Sequence, residues 1–442
     1  MSTQFSIFDF STSEGNVHGK LRDGVIRFEN IRYAISERYQ YPKAISVREG
    51  FSQQSEKPHV CPQIVYPLLD KMIEQPNIEN FIPDEAPQFL SITVPQHFQK
   101  IKELPVLVWI HGGSYEIGFG DLASSDPSLW VKEQNIIVVS ISYRLGLFGF
   151  LGGFDDRPAN LGMLDVIESL KWIHKNIALF NGNAHNVTLL GQSSGGDLVA
   201  HLMIADIPTS LFHKVIIQSA PLGLRKNRMK MYKALSEKTH DFKDEENPML
   251  MVNRQNEVLP KFNRFGMKAL MPFGLQYGTF PLPSEAESLK NWRKSAKKYK
   301  VLIGLNNDET AFYLATSEAL IRYLRYTLGQ KILKKAVQFS TEKIYGSPAA
   351  QFAKNFKIGG GDVTLFRLHS TISKGIGAAH CFDLPLLFGD YSVWKNAGLL
   401  KNIPWSYIEE NGKKLRYCWA EFMKKGRLPE KENLPDILEI RA

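Results

Sequence analysis

Residues 187–203 read VTLLGQSSGGDLVAHLM. A β-branched apolar run over 187–190 passes through a glycine-rich turn at 191–196 into a helical pattern carried by Leu198, Leu202 and Met203. Continuous rather than alternating apolarity suits a strand covered on both faces. The turn holds Gly191-Gln192-Ser193-Ser194-Gly195, a G-x-S-x-G pattern. A bare pattern of this kind is often only a glycine-rich turn. Between a strand and a helix it gains a mechanism, because a sharp, strained turn lifts the central hydroxyl beyond the sheet edge. Flanking glycines remove Cβ atoms that would meet neighbouring backbone. The helix start adds a positive dipole end beside a developing oxyanion.

Similar apolar runs lie at 106–110, 136–143, 215–217 and 301–303. Between the second of these and the run at 187, Leu164, Ile167, Leu170, Ile173 and Ile177 recur at helical spacing, with Lys171 and Lys175 off the stripe. Strands alternating with helices predict an α/β fold with a mostly parallel central sheet flanked by helices. Without a Pro/Ser linker or a repeat, the whole of 1–442 is expected to be one domain, with insertions at about 225–300 and 310–375 over the active site. Ser284 and Glu287 predict a capping box that opens a helix running into RKSAKKYK. That basic cluster is expected to be a solvated helix face rather than an anion-binding one.

The composition is that of a folded protein: 43% hydrophobic and 22% charged residues, far from the low hydrophobicity and high charge of disorder. The net charge of +9 is spread along the chain, so no concentrated basic face marks a nucleic-acid partner. Cys61, Cys381 and Cys418 are widely spaced and odd in number, which argues against a disulfide framework and against a cysteine zinc site. Neither H-E-x-x-H nor a phosphate-loop lysine occurs, so no metal and no cofactor are expected. The N-terminus lacks a secretory pattern, and the most apolar stretch, IIVVSISYRLGLFGFLGGF, is interrupted by Arg144 and glycines. No membrane anchor and a reducing, cytoplasmic setting are therefore expected.

His111-Gly112-Gly113-Ser114 follows the run at 106–110 and has the form of an HGGG loop, whose backbone N–H groups serve an oxyanion. Such donors are needed because a tetrahedral intermediate carries a full negative charge on the former carbonyl oxygen. Together PVLVWIHGGSYEIG, VVSISYRLGLFGFL, NLGMLDVIESLKWIHKNIALFNGNAHNVTLLGQSSGG and VIIQSA resemble the type-B carboxylesterase and cholinesterase family of α/β-hydrolases. The resemblance returns at GLNNDETAF, AAHCFDLPLLFG and WAEFMKKGRLP, so it spans most of the chain.

The resemblance implies a serine esterase acting on a small-molecule ester. Ser193 is the implied nucleophile, Glu309 the acid and His380 the general base. The implied oxyanion donors are the N–H groups of Gly113, Ser114 and Ser194. The chemistry asks for these types: a serine hydroxyl is too weak an acid to attack unaided, imidazole accepts its proton near neutral pH, and a carboxylate fixes the tautomer and stabilises imidazolium. Asp308 is the rival acid. Arg144 and Asp165 match a structural salt bridge of the family.

Four departures redirect the expectation. Ser114 stands where the family has glycine or alanine. Gln192 replaces the usual glutamate and removes a charge that favours cationic substrates. Cys61 matches half of a family disulfide whose partner position is Pro87, and no tryptophan between Cys61 and Gly112 other than Trp109 offers a choline-binding face, although Tyr66 and Phe81 are partial substitutes. The 71 positions from Glu309 to His380 form a shortened segment, which implies a more open pocket. Uncharged esters are thus the expected substrates. The competing class is an inactive esterase-like binding module; the presence of all three triad types argues for the enzyme.

Overall fold

In the computed structural model, residues 7–12, 15–45, 54–64, 67–73, 81–314, 327–372, 376–430 and 436–441 are described. The apolar runs form the middle of an eleven-stranded sheet. In chain order its strands are β1 (Ile7–Thr12), β2 (Gly15–Arg22), β3 (Val25–Arg32), β4 (Phe89–Pro95), β5 (Leu104–Ile110) and β6 (Ile137–Ile141). They continue with β7 (Gly182–Gln192), β8 (Lys214–Gln218), β9 (Lys300–Asn306), β10 (Asp362–Leu368) and β11 (Leu438–Arg441). Across the sheet they run β1-β2-β3-β4-β6-β5-β7-β8-β9-β10-β11. The block from β6 to β10 is parallel. The strands outside it pair antiparallel.

Continuous apolarity has the expected cause. Val106, Val108, Ile110, Leu189, Ile217 and Ile303 belong to one core, while Leu107, Trp109, Leu190, Ile216 and Leu302 belong to the other. Alternate residues of each strand thus serve opposite faces, and both faces are dry. Helix α1 (Leu161–Asn176) and helix α2 (Ser194–Leu202) pack on the first side. Helices α6 (Asp383–Phe388) and α7 (Trp405–Lys425) pack on the second. Leu164, Ile167, Leu170, Ile173 and Ile177 are all buried, while Lys171 and Lys175 face solvent. Arg144 and Asp165 form the expected pair: Nε donates to Oδ2 at 2.8 Å and a terminal nitrogen to Oδ1 at 2.7 Å, both side chains buried.

Two expectations are revised. The segment 310–375 is not wholly an insertion, because β10 lies inside it and adds to the parallel block. Its other described parts include helices α4 (Thr327–Thr341) and α5 (Ser347–Ile358), whereas helix α3 (Pro248–Val258) belongs to the earlier segment. The capping box does not form. Ser284 starts a 3-10 turn and its hydroxyl donates to the Glu287 carboxylate at 2.8 Å, while the Glu287 N–H goes to the Ser284 carbonyl at 3.0 Å. The serine oxygen therefore accepts nothing from the helix backbone. The basic cluster beyond it is a solvated face, with Lys294, Lys297 and Lys298 exposed between buried Trp292, Ala296 and Tyr299.

Candidate active site

Register brings the carboxyl ends of the central strands level, Gly191 beside Ile110 and Gln192 beside Gln218. Segments leaving that edge carry the implied site residues, Ser194 as the first residue of α2, as open α/β sheets do for their ligands. Ser193 joins β7 to α2 at φ 57° and ψ −124°, a conformation that costs a side-chain-bearing residue about 1–3 kcal/mol. The surroundings hold it there. Its N–H donates to the Gln218 carbonyl at 2.9 Å, and its carbonyl accepts from the Asp197 N–H at 2.9 Å. A Cβ on Gly195 would lie 2.1 Å from the Ile110 carbonyl oxygen, so only glycine lets α2 start against the end of β5.

β9 ends at Asn306, whose N–H donates to Glu309 Oε1 at 2.7 Å. The other carboxylate oxygen meets His380 Nδ1 at 2.5 Å, and His380 Nε2 lies 2.9 Å from Ser193 Oγ. All three side chains are buried. Asp308 is excluded from this chain: its N–H donates to the Ala378 carbonyl at 2.9 Å, and its carboxylate lies over Gly377, where a Cβ would be 2.4 Å from Oδ2.

The loop after β5 takes left-handed backbone at three successive residues, Gly113 (φ 113°), Ser114 (φ 58°) and Tyr115 (φ 64°). Glycine is required at the first, where a Cβ would come within 2.1 Å of the Ile117 carbonyl oxygen. The Tyr115 N–H donates to Ser194 Oγ at 3.3 Å, tying this loop to the first residue of α2. Ser194 is in the first turn of α2, where N–H groups have no intrahelical acceptor. His111 stacks on Tyr143 with ring centroids 4.4 Å apart, and burial pushes its imidazole down to about 4, so it is neutral and structural.

Gly113, Ser114, Ser193 and His380 border a cavity of about 420 Å³. Leu259, Pro260, Leu270 and Pro272 line it from the 225–300 segment, and Phe312 and Tyr313 line it from just beyond Glu309. Phe81 instead packs on Phe119 at 4.7 Å, and Tyr66 lies outside the described residues. Gln192 Nε2 is 3.4 Å from His380 Nε2 and 3.5 Å from Cys381 Sγ. None of the three cysteines forms a disulfide, and all are buried.

Some parts of the site gave no sequence signal. Asn306 Nδ2 donates to the Ala379 carbonyl at 3.0 Å and to Asp383 Oδ1 at 3.1 Å, bracing the end of β9, which leads to Glu309, against the residues that flank His380. Burial, aided by the Glu309 charge, pushes the Asp383 carboxyl up to about 6. A π-helical turn at Glu342–Gly346 sets the Tyr345 ring 5.5 Å from that of His380.

A family model for the carboxylesterase family matches residues 8–321. The chain belongs to that family. It is a carboxylic-ester hydrolase of α/β-hydrolase fold. Among its relatives, the probable N-octanoylanthranilate hydrolase AqdA2 of Rhodococcus erythropolis is 31% identical, over 93% of this chain and 92% of that protein. The para-nitrobenzyl esterase of Bacillus subtilis (strain 168) is 27% identical, over 94% and 89%. A solved thermophilic PNB esterase superposes with a TM-score of 0.76 at 23% identity, covering 98% of this chain and 97% of that one, a likeness of fold. Among the described residues of this carboxylesterase, no helix is long and apolar enough to cross a membrane.

Proposed function

We propose that Ser193, His380 and Glu309 hydrolyse uncharged carboxylic esters through a covalent acyl-enzyme. The observation that carries this reading is the buried hydrogen-bond chain from Ser193 Oγ through both ring nitrogens of His380 to Glu309, with links of 2.9 and 2.5 Å, at the wall of a cavity. His380 Nε2 takes the serine proton as Oγ attacks the ester carbonyl. Glu309 holds the ring with its proton on Nδ1 and stabilises the imidazolium that forms. The N–H groups of Gly113, Ser114 and Ser194 receive the oxyanion. The imidazolium then protonates the departing alcohol, and water repeats the sequence on the acyl-serine to release the acid.

Neutral substrates are favoured because Gln192, not a carboxylate, stands beside His380, and because the described lining is largely apolar. One relative is named for an N-acyl amide, so an anilide is the informative second substrate beside a p-nitrophenyl ester. Three cysteines without a disulfide support a reducing compartment such as the cytoplasm. Labelling with a fluorophosphonate probe followed by peptide mapping tests the assignment. Modification at Ser193, lost in Ser193→Ala, is expected; a labelled peptide elsewhere overturns it.

A further inference from the structure

Asp197 is a buried carboxylate in the α2 turn that starts at Ser193, and no step of the reaction uses it. Its Oδ2 accepts from the Tyr115 hydroxyl at 2.7 Å and lies 3.3 Å from Arg225 Nε. Tyr115 is itself fully buried, and burial together with the Asp197 charge raises its phenol far above the ordinary range, so it stays a donor. Burial works most strongly against the charge of Arg225, but Asp197 together with Tyr232, Tyr115 and Tyr277 outweighs it and holds the guanidinium above its usual range. Behind the carboxylate, His201 Nδ1 pairs with the Asp197 carbonyl at 2.7 Å and Nε2 with the Tyr277 hydroxyl at 2.6 Å. Burial lowers the pKa of this imidazole.

The cluster grips one end of the loop at Gly113 to Tyr115. Left-handed backbone at Ser114 and Tyr115 is not a resting state for residues with side chains, so tertiary contacts must hold it. Tyr115 is held three ways: its N–H donates to Ser194 Oγ at 3.3 Å, its carbonyl accepts from the Gly146 N–H at 2.6 Å, and its hydroxyl reaches Asp197. Two of the three holds come from α2, the helix that the nucleophile starts. We infer that Asp197 and Tyr115 are positioning residues: they lock the oxyanion loop to the same helix turn as Ser193, so that the N–H groups of Gly113 and Ser114 aim where Ser193 delivers the carbonyl oxygen. This rests on the proposed roles of Ser193 and of those N–H groups.

The test uses the full chain with p-nitrophenyl butyrate as substrate and an alkyl trifluoromethyl ketone as tetrahedral-adduct inhibitor. Tyr115→Phe removes the one hydroxyl and keeps the ring. It is expected to lower kcat about ten- to a hundredfold with KM within about twofold, and to weaken the ketone by the same factor, as misaimed oxyanion donors do. Asp197→Asn keeps an acceptor and should fall between wild type and Tyr115→Phe, whereas Asp197→Ala should match or exceed the loss. If Asp197→Ala does not fold, Tyr115→Phe alone decides. Unchanged kcat and ketone affinity in Tyr115→Phe overturn the inference, as does a loss confined to KM. Ser193→Ala is run alongside. Retained hydrolysis there sinks the assignment of the nucleophile itself, while a dead Ser193→Ala beside an unaffected Tyr115→Phe sinks only the positioning role.

Discussion

His380 is bonded twice to Glu309: its backbone N–H donates to the Glu309 carbonyl at 3.1 Å while its ring Nδ1 meets the Glu309 carboxylate at 2.5 Å. The backbone contact sets the distance between the two loops, so the side chains meet with little freedom left to lose. That double attachment is the physical support for proposing Glu309, and not its neighbour, as the acid.

Glu309→Gln should therefore lower kcat strongly, about 10⁴-fold by analogy with removing the carboxylate charge from other triads. Asp308→Asn should leave turnover within a fewfold of wild type, because its carboxylate lies over Gly377 and away from the imidazole. Steady-state kinetics on a p-nitrophenyl ester decide; the reverse ranking moves the acid role to Asp308.

The middle of the sheet and the turn at Ser193 were legible because each had a local signature, whereas Glu309 and His380 had none and were implied only by the family resemblance. Strands buried on both faces write themselves as unbroken apolar runs, and Ser193 sits in a turn that only glycine neighbours permit. β10 was hidden inside 310–375 because DVTLFRL mixes charge with apolar residues at the margin of the parallel block. The antiparallel strands β1 to β3 were missed for a related reason: HGKLR and VIRFENIR are broken by charge. Asn306 with Asp383, and Tyr115 with Asp197, are pairs 77 and 82 positions apart, whose partners only tertiary structure brings together.

Asp383 supplies a test of the buried brace. A carboxyl raised to about 6 holds its proton more tightly in the folded than in the unfolded chain, so the folded state loses ground as pH rises from about 4 through 6. Asp383→Asn carries no such ionisation. Relative to wild type it should gain stability between pH 4 and pH 8, by about 2–3 kcal/mol for a shift of roughly two pH units. Denaturant midpoints at the two pH values measure the change. A difference that does not vary with pH shows that Asp383 does not titrate in this window.

Gln192 lies 3.4 Å from His380 Nε2, the ring nitrogen that meets Ser193 Oγ, so a charge placed at position 192 would bear directly on the proposed base. Gln192→Glu would place a carboxylate beside His380, and an opposite charge at that range favours the protonated ring. The rising limb of kcat/KM against pH should move up by about one unit, with the plateau reached later. An unmoved limb means that the new side chain turns away or stays protonated.

Choline esters should be poor substrates. A quaternary ammonium gains about 0.5–2 kcal/mol from an aromatic face, best from tryptophan. The described cavity lining offers Phe312 and Tyr313 and no tryptophan, and Phe81 is engaged with Phe119 elsewhere. Gln192 adds no charge beside the base. Glu116 is the one acidic side chain among the described lining residues, so it is the group through which a cation site would have to act. With the aromatic contribution reduced, discrimination falls to acyl and alcohol fit in an apolar pocket, where one methylene is worth about 1–3 kcal/mol and a broad substrate range follows. The comparison is kcat/KM for butyrylcholine against an uncharged butyrate ester of similar size. A clear preference for the choline ester would place a working cation site at Glu116, which Glu116→Gln would then abolish.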